Sequence, residues 1–200
     1  MISDSVYRFL FIIVRIGLFF WHPFFRVKGL ENVPYNSPFV VCCNHSGMAD
    51  PFWVVLGLRL KQMPVVMAKK ELFRFPPMAW LLNKLGVIPV DRENADVAAV
   101  KGGLRALRAG KQLLIFPEGT RVRKNNRPTP KRGAVTLAAR TDSMILPVFL
   151  SRRKYPFCPI EMMIGEPFRV KCVGKRATDE ELERTSQELM NQIYEMGGEA

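Results

Sequence analysis

The stretch Pro38-Phe39-Val40-Val41-Cys42-Cys43-Asn44-His45-Ser46-Gly47-Met48-Ala49-Asp50-Pro51 decides how this chain is read. Its first half is an apolar run whose Phe39, Val40 and Val41 favour a strand. Its end, an acidic residue followed by proline, is a good helix start, with Asp50 expected as N-cap and Pro51 as the first helical residue. The stretch therefore reads as strand, turn, helix. His45 lies in the turn, and the five-residue offset lets Asp50 fold back onto it.

The same alternation continues on both sides. Short strands are expected over residues 26–29, 38–43, 65–68, 87–90, 112–116 and 144–150, with 160–164 and 168–172 pairing beyond them. Helices are expected over 50–60, 77–85, 95–109, 133–140 and about 179–196. Gly110 closes the third of these, and Thr178 with Glu181 opens the last through a capping box. Strands alternating with helices indicate an α/β domain with a largely parallel or mixed sheet flanked by helices.

In such sheets ligands bind beyond the carboxyl ends of the strands, and that edge collects the chemistry here. His45 follows one strand. Asp91-Arg92 follows another. Phe116-Pro117-Glu118-Gly119-Thr120-Arg121 leaves a third. A neutral imidazole can take a proton from an alcohol at neutral pH. A carboxylate on its other ring nitrogen fixes the tautomer. Arginine binds phosphate through a planar fork, and Gly119 permits a positive φ and close backbone approach. Glu118 is suited to orienting an arginine or accepting from a substrate hydroxyl. Backbone amides near His45 or Gly119 are candidate oxyanion donors. The competing reading, in which His45 is a turn histidine, Asp50 a helix cap and the arginines surface charges, requires three coincidences at one edge.

Composition sets the surroundings. The net charge is +12 with 48% hydrophobic residues, so the chain folds and favours an anionic partner. Basic residues crowd 121–132 and recur at 152–154 and 169–176. Cys42, Cys43, Cys158 and Cys172 form no CxxC pair, and with only His22 and His45 as histidines a Cys/His zinc site is not expected. Adjacent Cys42 and Cys43 read as buried thiols of a reducing compartment.

Residues 6–25 are nearly all apolar, and their polar exceptions Arg8, Arg15 and His22 recur every seven positions along one helical stripe. Ser3, Asp4 or Ser5 caps this segment and Pro23 ends it. It is too short and too charged for a spanning helix and lacks a cleavage signature. Residues 1–25 are thus expected to form an apolar membrane-associating helix lying in the interface, and 26–200 the catalytic domain. The competing reading docks that helix on the protein's own core.

Four ordered blocks resemble the glycerolipid acyltransferase family. Asn44–Asp50 matches its NHxxxxD pattern. Gly86, Ile88, Val90 and Arg92 match a second block, and Phe116–Arg121 matches FPEGTR. Ile145-Leu146-Pro147-Val148 matches an apolar strand containing proline, and Lys131-Arg132-Gly133-Ala134 resembles the segment found before it. The resemblance covers about residues 25–170. It implies a glycerol-3-phosphate acyltransferase-like fold and transfer of a fatty acyl group from acyl-CoA or acyl-acyl-carrier protein to the sn-2 hydroxyl of 1-acyl-sn-glycerol 3-phosphate. Phosphatidic acid would be the product, in phospholipid biosynthesis. By position it makes His45 the base and Asp50 its orienter, with Arg92, Glu118, Gly119, Thr120 and Arg121 binding substrate. No cofactor beyond the acyl donor and no metal is implied. The expected partners are membrane lipids and the thioester donor or its carrier protein, with no nucleic acid, at the cytoplasmic face of the cell membrane. Val122 departs from the small polar residue many relatives carry there. Other acceptors, a silent lipid-binding protein of the same fold and a basic nucleic-acid binder are the alternatives; the last lacks any recognised binding signature.

Overall fold

The computed structural model describes residues 12–13, 16–17, 20, 24–92, 96–122, 127–152, 158–172, 174 and 176–198. Most of the expected N-terminal helix, with Arg8, Arg15 and His22, lies outside these residues. So do Arg123, Lys124, Arg153, Lys154 and Lys175. Ile12, Ile13, Ile16, Gly17 and Phe20 are helical and exposed.

Among the described residues the strands are β1 (Phe25–Lys28), β2 (Phe39–Cys43), β3 (Val65–Lys69), β4 (Ile88–Val90), β5 (Leu113–Ile115), β6 (Met144–Leu150) and β7 (Ile160–Ile164). The helices are α1 (Asp50–Leu58), α2 (Pro76–Lys84), α3 (Val97–Arg108), α4 (Gly133–Thr141) and α5 (Asp179–Met196). Single 3-10 turns lie at Leu30–Asn32 and Lys70–Arg74. The strands form one sheet in the order β1-β7-β6-β2-β5-β3-β4. Every pairing is parallel except β6 with β7.

The central position of β2 explains the unbroken apolar run Phe39–Cys43. All five of its residues are buried, because both faces of the sheet are covered. Phe39, Val41 and Cys43 face a core that holds Trp53, Val54 and Leu58 of α1. Val40 and Cys42 face the opposite core, with Val135 and Ala138 of α4 and Leu189 and Ile193 of α5. Each fully buried Leu, Phe or Val contributes about 1.5–3 kcal/mol. At the other extreme, Pro89 sits in edge strand β4, where a missing N–H costs no interior ladder bond.

Two expectations need correction. Residues 168–172 form no strand; only Phe168 bridges antiparallel to Ile145. β7 covers β6 along Val148–Leu150 only, and the chain returning through Gly165 and Pro167 supplies one rung to the uncovered start of β6. Asp50 is the first residue of α1 rather than its N-cap, which is Ala49. The Asp50 carboxylate turns back to the amides of Ser46 and Gly47 instead of forward into the helix.

Candidate active site

The site forms where β2, β4 and β5 end. Beyond β2, buried Asn44 continues the sheet by side chain. Its Oδ1 accepts from the Leu150 amide at 2.8 Å and its Nδ2 donates to the Leu150 carbonyl at 2.9 Å. This pair of hydrogen bonds to the end of β6 fixes where the chain leaves the sheet, and hence where His45 emerges.

His45 is held at four points. Its amide donates to Glu118 Oε2 at 2.7 Å, and its carbonyl accepts from the Val122 amide at 2.7 Å. Its ring stacks on Phe116, with centroids 4.3 Å apart and planes at 26°. Its Nδ1 lies 2.9 Å from Asp50 Oδ2. That same oxygen accepts from the amides of Ser46 at 2.6 Å and Gly47 at 2.8 Å. Asp50 is fully buried, whereas the His45 side chain keeps 12% of its surface exposed. An acceptor-only carboxylate at Nδ1 requires the proton there, which leaves Nε2 with its lone pair. The pair is thus built as an oriented base.

The Phe116–Arg121 segment is folded around this histidine. Gly119 has φ 65°, its amide closes a turn on the Phe116 carbonyl at 3.0 Å, and its own carbonyl accepts from Arg92 Nη1. Lys131 ties its amide to the Pro117 carbonyl at 2.7 Å. Burial pulls the Arg92 guanidinium below its usual range; Glu71 opposes this and Arg121 adds to it. Arg92 and Arg121 therefore lie within electrostatic reach of each other, and a guanidinium can bind a phosphate through its planar fork. Thr120 and Arg121 are exposed. Val122 is buried, and its main-chain amide donates to the His45 carbonyl, a bond that does not depend on the side chain.

Glu118 occupies a position the sequence did not indicate. Both carboxylate oxygens are engaged inside the protein: Oε2 by the His45 amide and Oε1 by the Tyr194 hydroxyl of α5. Burial pushes its carboxyl above the usual range, opposed by the bonds from Tyr194 and His45. Tyr194 is itself buried, and burial with its bond to Glu118 raises its phenol. The Arg127 guanidinium lies 4.0 Å from the Tyr194 ring centroid and that of Arg152 5.4 Å. Tyr194 was missed because it sits on the apolar stripe of α5. A buried tyrosine hydroxyl needing a partner was the signal available.

The amides of His45, Ser46, Gly47 and Gly119 all donate within the protein. These candidate oxyanion donors are thus committed in this arrangement. Cys43, beside the histidine, is buried, which disfavours it as a nucleophile. A cavity of about 250 Å³ is lined by Arg92, Gly119 and Lys131 together with the apolar Met67, Val100 and Leu137. Among the described residues no cluster of three His, Cys, Asp or Glu could hold a metal ion, and no helix is long and apolar enough to cross a membrane.

The His45–Asp50 pair, with Arg92 and the Phe116–Arg121 segment beside it, thus stands at one edge of a mixed sheet covered by helices. The acyltransferase family model matches residues 24–151, and the chain belongs to that family. It is 32% identical over 177 residues to the 1-acyl-sn-glycerol-3-phosphate acyltransferase of Bacillus subtilis, covering 86% of this chain and 87% of that protein. It is 35% identical over 127 residues to the enzyme of the same name from Borreliella burgdorferi, covering 62% of this chain and 50% of that protein. The crystal structure of the 1-acyl-sn-glycerophosphate acyltransferase PlsC from Thermotoga maritima shares the fold, with TM-score 0.68 at 24% identity, over 92% of this chain and 76% of that one.

Proposed function

We propose that this acyltransferase moves a fatty acyl group from acyl-CoA or acyl-acyl-carrier protein to the sn-2 hydroxyl of 1-acyl-sn-glycerol 3-phosphate, releasing phosphatidic acid. The observation that carries this reading is the His45–Asp50 pair, at 2.9 Å, on the same strand edge as Arg92 and Arg121. The relatives at 32% and 35% identity, named for that reaction, support it.

Arg92 and Arg121 hold the acceptor phosphate and so set its glycerol hydroxyl against His45. Nε2 takes the hydroxyl proton as the oxygen attacks the thioester carbonyl carbon. The tetrahedral intermediate collapses, the C–S bond breaks, and the imidazolium returns the proton to the departing thiolate. Asp50 holds the tautomer and stabilises the transient imidazolium. Positioning of this kind supplies on the order of 7 kcal/mol when geometry is good. Glu118 and Gly119 shape the loop, Glu118 by bracing His45 from behind and Gly119 by seating Arg92. Thr120 lies at the exposed rim, available to a glycerol oxygen. The acyl donor is a substrate, and no cofactor takes part. The enzyme works on membrane lipids at the cytoplasmic face of the cell membrane, with the apolar N-terminal segment as anchor.

The test is a panel of acceptors and donors with purified enzyme. Labelled acyl-CoA and acyl-acyl-carrier protein are each offered with lysophosphatidic acid, glycerol 3-phosphate and lysophosphatidylcholine. Phosphatidic acid as the dominant product supports the assignment. Preferred acylation of either other acceptor refutes the stated substrate, and failure with every pair refutes the reaction.

A further inference from the structure

We infer that the carboxyl edge of the sheet is itself a membrane-seating surface, with the excursion from Lys70 through α2 as its main contact and an anionic phospholipid bilayer as its partner. None of the nine residues of α2 is buried, although the helix includes Met78, Trp80, Leu81 and Leu82. Helical spacing puts Pro77, Trp80, Leu81 and Lys84 on one face, and all four are exposed. Leu82 and Leu85 pack against the core from the other side. Phe75, just before the helix, is 64% exposed and Trp80 65%, with Leu72 also exposed.

Charge identifies the partner. Residues 69–85 hold Lys69, Lys70, Arg74 and Lys84 against one acid, Glu71. Large apolar side chains among cations suit the bilayer interface, where rings enter the acyl boundary and basic heads meet lipid phosphates. Tryptophan favours that depth.

Position ties the surface to the site. The excursion leaves the end of β3 and returns to β4, whose end carries Asp91 and Arg92, and Lys70 is paired with Asp91. At the end of β2, which β5 separates from β3, Met48 within the His45–Asp50 turn is 69% exposed and Phe52 at the start of α1 50%. Two apolar protrusions thus stand at the edge bearing the base and the paired arginines. Seated there, the enzyme meets a lysolipid headgroup without drawing its acyl chain through water. The substrate in this argument rests on the acyltransferase reading; the surface does not. In sequence it is distinct from the N-terminal segment.

The experiment measures hydrogen exchange on the full chain, free and with vesicles of phosphatidylcholine alone or with phosphatidylglycerol. Slowed exchange in 70–85 and 47–53 is expected with the anionic vesicles, and less with phosphatidylcholine alone. In parallel, the Phe75→Ser/Trp80→Ser variant should bind anionic vesicles about tenfold more weakly. Its turnover of vesicle-borne lysophosphatidate should fall correspondingly, while turnover of a short-chain, water-soluble analogue holds. Unchanged exchange in 70–85 with wild-type binding by the variant overturns the inference and leaves seating to the N-terminal segment. Protection of 70–85 without vesicles, in a species of dimer mass, overturns it in favour of a second copy. Vesicle protection with no turnover of any acceptor upholds the surface and refutes the reaction.

Discussion

Asp50 meets three donors with one oxygen, which shows how single residues divide the labour at this site. His45 and Asp50 were legible because a strand, a turn and an acid–proline pair fixed their spacing within seven residues. The details were not legible, since the carboxylate had two plausible destinations, the helix amides or the histidine turn. Glu118 illustrates a deeper limit. Its partner Tyr194 lies 76 residues away on another element, and only tertiary packing joins them. Tyr194 reaches the His45 turn through Glu118, whose other oxygen accepts from the His45 amide. Tyr194→Phe leaves one Glu118 oxygen buried without its donor, at a cost of about 1–3 kcal/mol. Calorimetry should register that loss. If the link positions His45, steady-state kinetics should show kcat falling severalfold with KM little changed; a purely structural contact would leave kcat in the folded variant untouched.

At the scale of elements, runs and caps were the readable signals. The capping box at Thr178 and Glu181 is present as expected. The helix expected from residue 95 begins at Val97, with Asp96 as its cap accepting from the Ala99 amide at 2.8 Å. The same side chain accepts from the Asp91 amide at 2.8 Å, which joins α3 to the turn carrying Arg92. Those amides, Asp91 first and Ala99 next, hold the Asp96 carboxyl below its ordinary 3.8. A depressed folded-state value stabilises above the unfolded value and loses that contribution as pH falls through the folded one. Asp96→Ala removes the helix cap and should cost about 1 kcal/mol near neutrality. Urea titrations at neutral and strongly acid pH should show the difference from wild type shrinking in acid. Residues 168–172 misled because alternation with apolar Phe168 and Val170 marks a strand only where a partner edge is free. The edge of β6 had one rung to offer.

Across the whole molecule, the α/β class and the carboxyl-edge site followed from the alternation of apolar runs. Strand order did not, because parallel pairing is set by crossovers and by which helix covers which face. The antiparallel β6–β7 pair has no signature in either strand alone. The same global packing buries Glu118 between α5 and the histidine turn and raises its carboxyl above 4.5. A carboxyl raised by folding makes the native state the better proton binder. Its contribution is fully present below the unfolded value and is lost as pH rises through the folded value. Thermal unfolding of the wild type from pH 4 upward should thus show a stability decline that Glu118→Gln lacks, although the variant is less stable throughout. Equal slopes in the two proteins would contradict this assignment of burial.

The central claim is that His45, oriented by Asp50, removes the proton from the acceptor hydroxyl. The most direct measurement compares kcat for acyl transfer to lysophosphatidic acid in wild type, His45→Ala and Asp50→Asn, each verified as folded by its thermal transition. Loss of a positioned base costs about 10²–10⁴-fold, and the account predicts a loss of that order in His45→Ala, with Asp50→Asn also strongly impaired. A folded His45→Ala enzyme turning over within severalfold of wild type would contradict it.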